Sequence, residues 1–141
     1  MATKITIIID DIGNENEKEL ATDDDRVSVS QYARFFDESS PAWRKDAEYN
    51  MIFLRQQEIY ATDLLRARGH LFLNDVYGML GIPCTKAGQV VGWIYDEKNP
   101  IGDNCVDFGL YDQCNKDFIN GYKNIILLDF NVDGIILDKV L

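Results

Sequence analysis

Apolar positions along this chain change their period more than once. Lys4–Ile9 is a run of β-branched residues that stops at Asp10-Asp11-Ile12-Gly13, which predicts a strand and then a turn. Residues 14–25 are dense in Glu and Asp with few apolar side chains, and residues 13–26 read as a mobile acidic loop. Ser28 and Gln31 have capping-box spacing, and Tyr32, Phe35 and Phe36 follow at i, i+3 and i+4, which predicts a short helix with an aromatic face. Ser40 can cap a second helix that Pro41 opens. In it, Tyr49, Ile52, Phe53, Ile59, Tyr60, Leu64 and Ala67 recur at roughly helical spacing, until Gly69 stops the pattern just after Arg66 and Arg68. Unbroken from Pro41 to Arg68, that helix would be about 42 Å long at 1.5 Å per residue, so it either breaks near Asn50 or reaches toward a partner subunit.

Leu73, Val76, Tyr77 and Leu80 mark one face of a shorter helix that ends at Gly81-Ile82-Pro83. Val90–Tyr95 reads as a strand, and Asn99-Pro100-Ile101-Gly102 as a turn. Val106, Phe108 and Leu110 alternate with Asp107 and Gly109, the pattern of a strand with one wet face. Residues 115–122 suit a short helix. Ile125–Phe130 and Ile135–Val140 are apolar runs joined by Asn131-Val132-Asp133-Gly134, which predicts a hairpin. With no repeat and no linker, the whole of 1–141 reads as a single compact α+β domain, a mostly antiparallel sheet packed against a long central helix and shorter helices.

Charge narrows the partners. The net charge of −10 is concentrated at the ends: residues 1–30 hold 8 acids and 3 bases, residues 31–70 hold 6 of each, and residues 71–141 hold 10 acids and 5 bases. This balance argues against direct contact with nucleic-acid phosphates or an anionic membrane, and suits solubility or a basic protein partner. Cys84, Cys105 and Cys114 are odd in number and lack CxxC spacing, which fits reduced thiols rather than a disulfide framework or a zinc ribbon. The apolar run at the start is too short for a signal peptide, and no run approaches the eighteen or so apolar residues of a membrane span. The expected location is the cytoplasm of a host cell, with virion association as an extension.

The chemistry-bearing residues are few. Asp129, Asn131 and Asp133, followed by Gly134, match the opening of a calcium loop, but its closing acid would fall on Val140, and a hairpin turn explains the same residues. His70 is the one histidine, so a catalytic triad or multi-histidine metal site within the chain is nearly excluded; it follows a helix end, where capping suffices. Acid–base work by it would need a paired carboxylate or thiol, for which Asp75 and Cys84 are no more than guesses. Asp10 and Asp11 at a strand end are the best-placed acid pair for Mg²⁺ chemistry, although a strand followed by polar turn residues is ordinary and is the favoured reading. Asp23, Asp24 and Asp25 read as a solvated or partner-facing acidic run. The cysteines lack a neighbour that would lower their pKa, and Gly88 and Gly92 read as close-packing positions rather than a phosphate cradle. Arg55, Glu58, Thr62 and Arg66 share one helix face that could bind a carboxylate or a neighbouring chain, although such a face is more often merely solvated.

Three stretches, Phe72-Leu73-Asn74-Asp75-Val76-Tyr77, Val91-Gly92-Trp93 and Leu128-Asp129-Phe130-Asn131-Val132-Asp133-Gly134, resemble a family of small acidic proteins encoded by phages and integrated mobile elements of gut Firmicutes. With the segments around them they touch about half of the chain. The resemblance implies a genetic context, not a reaction, and carries over no catalytic residue. The first expectation is therefore a non-enzymatic phage or mobile-element protein, without a cofactor, acting through protein contacts and forming a homo-oligomer. Arg55, Glu58, Arg66 and Asp23-Asp24-Asp25 are its partner-binding candidates. The alternative is an acidic mimic of nucleic acid that inhibits a bacterial defence nuclease. The third reading is a carboxylate-metal enzyme using Asp10 and Asp11 or the Asp129 loop.

Overall fold

A computed structural model describes the backbone of residues 4–9 and 15–20 and the full residues 30–140. Strand β1 (Lys4–Ile9) pairs antiparallel with β2 (Glu15–Leu20), Lys4 opposite Leu20 and Ile9 opposite Glu15. Half of the predicted acidic loop is thus a strand. Composition misses it because a ladder is built from backbone groups, which every non-proline residue carries. Asp10, Asp11, Asp23, Asp24, Asp25 and Ser28 lie outside the described residues.

The helix predicted around Tyr32 is instead strand β3 (Arg34–Phe36), paired antiparallel with β6 (Ile126–Leu128). Its neighbouring aromatics point opposite ways, as strand geometry requires. Phe36 is fully buried in the main core and stacks on Phe53 at 6.0 Å, while Phe35 packs on Ala33 and Leu127 in a separate cluster.

Helix α1 (Ala47–Arg68) is unbroken over 22 residues, about 33 Å. It starts six residues later than Pro41, because Asp46 is its cap and accepts the Tyr49 N–H. Asn50 sets that start: its buried amide accepts the Arg44 N–H at 2.9 Å and donates to the Arg44 carbonyl at 2.7 Å. Gly69 ends the helix at φ 82, its N–H reaching the Leu65 carbonyl. The row that enters the core is Asn50, Leu54, Ala61 and Leu65. Tyr49, Ile52, Ile59 and Tyr60, part of the predicted apolar face, are 43%, 51%, 55% and 53% exposed. The helix carries two apolar rows on opposite sides, and helical spacing does not say which one faces inward.

After Gly69 the chain forms β4 (His70–Phe72) and α2 (Leu73–Met79). The predicted α2 face is fully buried at Leu73, Val76, Tyr77 and Leu80. Tyr77 donates its hydroxyl to the Tyr32 carbonyl at 2.6 Å, and burial pushes its phenol up to about 12. Asp75 caps by accepting the Phe72 N–H, whereas Asn74 bonds both backbone groups of Thr85 at 2.9 Å and closes the turn after α2. Strand β5 (Val91–Ile94) lies between β4 and β7 (Gly134–Ile135) in an antiparallel sheet. A Cβ on Gly92 would run into the Leu71 carbonyl, so this strand crossing requires glycine.

Two expectations about the last third change. The predicted terminal hairpin is absent: β6 pairs with β3, β7 pairs with β5, and residues 137–140 form helix α4 (Leu137–Val140) after a short α3 (Lys116–Ile119). Asp133 is tied to β5 instead, its N–H bonding the Gly92 carbonyl at 2.9 Å and its carboxylate accepting the Ile94 N–H at 3.0 Å. Residues 106–110 keep their alternation, with Val106, Phe108 and Leu110 buried, yet they belong to no strand ladder. Among the described residues no helix is long and apolar enough to cross a membrane.

Asn115 joins the last third together. Its buried amide donates to the Gly109 and Leu127 carbonyls at 3.0 and 2.8 Å, and it accepts the Leu127 N–H at 2.9 Å. Asn115→Leu keeps the branching of the side chain and removes three bonds to backbone, two of them buried. Denaturant unfolding should show a loss of roughly 3 kcal/mol; a loss below about 1 kcal/mol would mean that the backbone finds other partners.

Candidate functional site

Four consecutive backbone N–H groups, Val106 to Gly109, are each met by a side chain. Thr62 Oγ1 accepts from Val106 at 3.1 Å and Asn131 Oδ1 from Asp107 at 2.7 Å. Glu58 Oε2 accepts from Phe108 at 2.8 Å and Asp107 Oδ1 from Gly109 at 2.8 Å. The carbonyls of Asp107 and Phe108 accept the N–H groups of Asn131 and Asp129. A segment with strand-like alternation is therefore held by the polar face of α1 on one side and by the 129–131 backbone on the other.

This is where the predicted face of Arg55, Glu58, Thr62 and Arg66 goes. Arg55 donates to the Tyr111 hydroxyl at 2.9 Å, with its guanidinium carbon 5.7 Å from the Tyr111 ring centre. Glu58 and Thr62 hold Phe108 and Val106. Arg66 is exposed nearby, and its charge is felt at the Cys105 thiol. The chain's own 105–111 segment occupies three of the four residues.

A cleft of about 350 Å³ opens along the seam, lined by Glu58, Cys105, Asp107, Tyr111 and Asp112 among others. Burial raises the Glu58 carboxyl above its usual range, and the Asp107 charge adds to this; the Phe108 N–H and Arg55 oppose it. Burial likewise raises Asp112, helped by the charges of Asp129 and Asp107. Burial first, then Asp103, Asp107 and Glu58, push the Cys105 thiol up, which keeps it protonated and a poor nucleophile. Cys114 is also raised by burial, and Cys84 is exposed; all three thiols are free.

The calcium-loop residues serve as joints. Asn131 uses its whole amide: it accepts from the Trp93 indole at 2.9 Å and from Asp107 N–H, and donates to Asp103 Oδ2 and the Cys105 carbonyl at 3.0 Å each. Asp129 accepts the Ser30 N–H at 3.4 Å, and Asp133 holds Ile94. Burial raises both carboxyls. Among the described residues no group of three or more His, Cys, Asp or Glu is arranged to hold a metal ion. His70 sits in β4, edge-on to the Phe72 ring at 5.7 Å. Sequence reasoning missed Asp107, Tyr111 and Asp112 as neighbours of Glu58. The one available signal was the polar side of the 106–110 alternation, which had to face something.

Comparison with known families places the chain. It belongs to a family of unknown function, DUF6353, whose model matches residues 3–140. No curated protein and no solved structure matches it.

The raised carboxyls give a pH dependence with a definite sign. A carboxyl raised in the folded state binds its proton there more tightly than in the unfolded chain, so its stabilising contribution is complete below the unfolded pKa, about 4.5 for Glu. That contribution is lost as pH rises through the raised folded value. Glu58, Asp112, Asp129 and Asp133 all act in this direction. The melting temperature should therefore rise as the pH falls from neutral toward the carboxylate range. Glu58→Gln, which still accepts the Phe108 N–H, should flatten that slope and raise stability at neutral pH. A melting temperature that falls over the same interval would contradict the burial of these carboxyls.

Proposed function

We propose that this member of the family acts by binding protein chains rather than by catalysis, in the phage or mobile-element setting that its sequence words resemble. The observation that carries the reading is the outer face of α1. Tyr49, Ile52, Ile59 and Tyr60 lie along one side of the longest helix, each about half exposed. Several large apolar side chains exposed along one helix face mark a contact site, and tyrosines are favoured anchors in such sites. The opposite row is in the core, and the polar row between them is taken up by the 105–111 segment. The face left to meet a partner is the apolar one. Glu58 is thus an internal fastening in this reading, and Arg66 remains at the rim.

A second reading, the acidic mimic of nucleic acid, draws on Asp103, Asp107 and Asp112, which are exposed along one segment beside Glu58. Their charges raise one another's neighbours, as a basic groove would relieve.

Affinity capture from the native host, with mass-spectrometric identification, separates the two. The contact reading expects stoichiometric protein partners that Ile52→Asp with Ile59→Asp loses by at least tenfold, on the order of the cost of truncating an interface anchor. Binding that ignores this variant but collapses as salt rises from about 50 to about 300 mM would transfer the case to the mimic. Capture of nothing beyond an unrelated control, with no second copy of this chain recovered either, would remove the contact reading.

A further inference from the structure

We propose that the partner of the α1 outer face is a second copy of this chain, whose α1 lies antiparallel across it. The inference rests on the contact reading and names its partner. Tyr49, Ile52, Gln56, Ile59 and Asp63 are all exposed and recur at alternating steps of three and four, the spacing of a helix-pair seam, with Tyr60 beside it. Leu54, Ala61 and Leu65 face the other way into the core, so pairing disturbs no packing within the chain.

Charge selects a copy of the same chain. The molecule carries −10, yet residues 31–70 hold equal numbers of acids and bases, so two copies meet with least repulsion here. The ends of α1 differ in sign, with the cap Asp46 and first-turn Glu48 at one and Arg66 and Arg68 at the other, Arg68 lying 3.9 Å from Asp75 of its own chain. Of the two cations that precede the helix, Arg44 is folded back onto the Trp43 carbonyl and the Tyr49 ring, and Lys45 is exposed beside Asp46. Laid antiparallel about Gln56, Ile52 of one copy meets Tyr60 of the second, Tyr49 meets Asp63, and Glu48 comes within reach of Arg66. The helix dipoles then oppose one another as well. A parallel pair would set acid against acid and arginine against arginine. One helix face about 33 Å long makes a small interface, so the association is weak and reversible.

Sedimentation equilibrium from about 5 to about 500 µM protein tests this. The wild type should pass from monomer to dimer, and Ile59→Glu should stay monomeric. Glu48→Lys and Arg66→Glu should each weaken the dimer roughly tenfold, since the two-fold axis doubles every altered pair. Mixed in equal amounts, these two variants should recover wild-type association. All three substituted positions are exposed, and circular dichroism checks that each variant is folded. A monomer throughout, a dimer indifferent to Ile59→Glu, or single charge variants that dimerise as tightly as the wild type would each overturn the pairing. A monomeric wild type whose Ile52- and Ile59-dependent capture of other proteins persists overturns the pairing alone. Loss of both results overturns the contact reading with it.

Discussion

The rest of the structure depends on how the 106–109 backbone is satisfied. Among the described residues no strand runs alongside to receive those four N–H groups, and leaving either of the half-buried pair at Val106 and Phe108 unpaired costs on the order of 1–3 kcal/mol. Glu58 and Thr62 answer two of the four from α1, Asn131 answers one from the far side, and Asp107 answers the last locally. Glu58 and Thr62 are one turn apart, so meeting Phe108 and Val106 together leaves α1 a single rotation about its axis. In that rotation Leu54, Ala61 and Leu65 point into the core and Tyr49, Ile52, Ile59 and Tyr60 point away from it.

Asparagines do elsewhere what strand ladders do in larger sheets. The strands within residues 30–140 have two to four residues each, too few to tie the layers together by backbone pairing alone. Asn50 fastens the entry of α1, Asn74 the turn after α2, Asn115 the loop before β6, and Asn131 the approach of residues 103–107 to Trp93. An amide can accept and donate at once, so one side chain can hold two backbone segments in register. The Asn115 joint is the costliest to break singly, because the Leu127 groups it holds are buried and have no water to turn to.

The parts legible in the sequence were those decided locally. Gly69 stops α1 because a left-handed residue is needed there, and the four apolar residues of α2 have only one face to occupy. The misread parts were decided by distant partners. Phe35 and Phe36 keep helical spacing with Tyr32, but β6 lies alongside and takes them as a strand. Asn131-Val132-Asp133-Gly134 has the composition of a turn, but Trp93 and Ile94 draw its polar atoms away from a hairpin. The candidate site was half legible. Its arginine and acid were found on the right helix face, while their partners Tyr111 and Phe108 lie 56 and 50 positions away, and no periodicity links them.

The same fastening bears on what α1 can do at its outer side. A helix held only by apolar packing can roll, since a row of similar side chains tolerates small rotations. Here Leu54, Ala61 and Leu65 set one flank, while directional bonds at Glu58 and Thr62 set the next, so the outward residues are presented in one arrangement. Ordering a surface on binding costs free energy that subtracts from affinity, and a surface already ordered avoids it. The seam also has an electrostatic cost, visible in the raised carboxyl of Glu58. It is tolerated because the alternative is an unanswered backbone N–H in the same place. A polar seam that is expensive at neutral pH thus fixes the orientation of the apolar face beside it, and that link ties the interior of this fold to the contacts its surface can make.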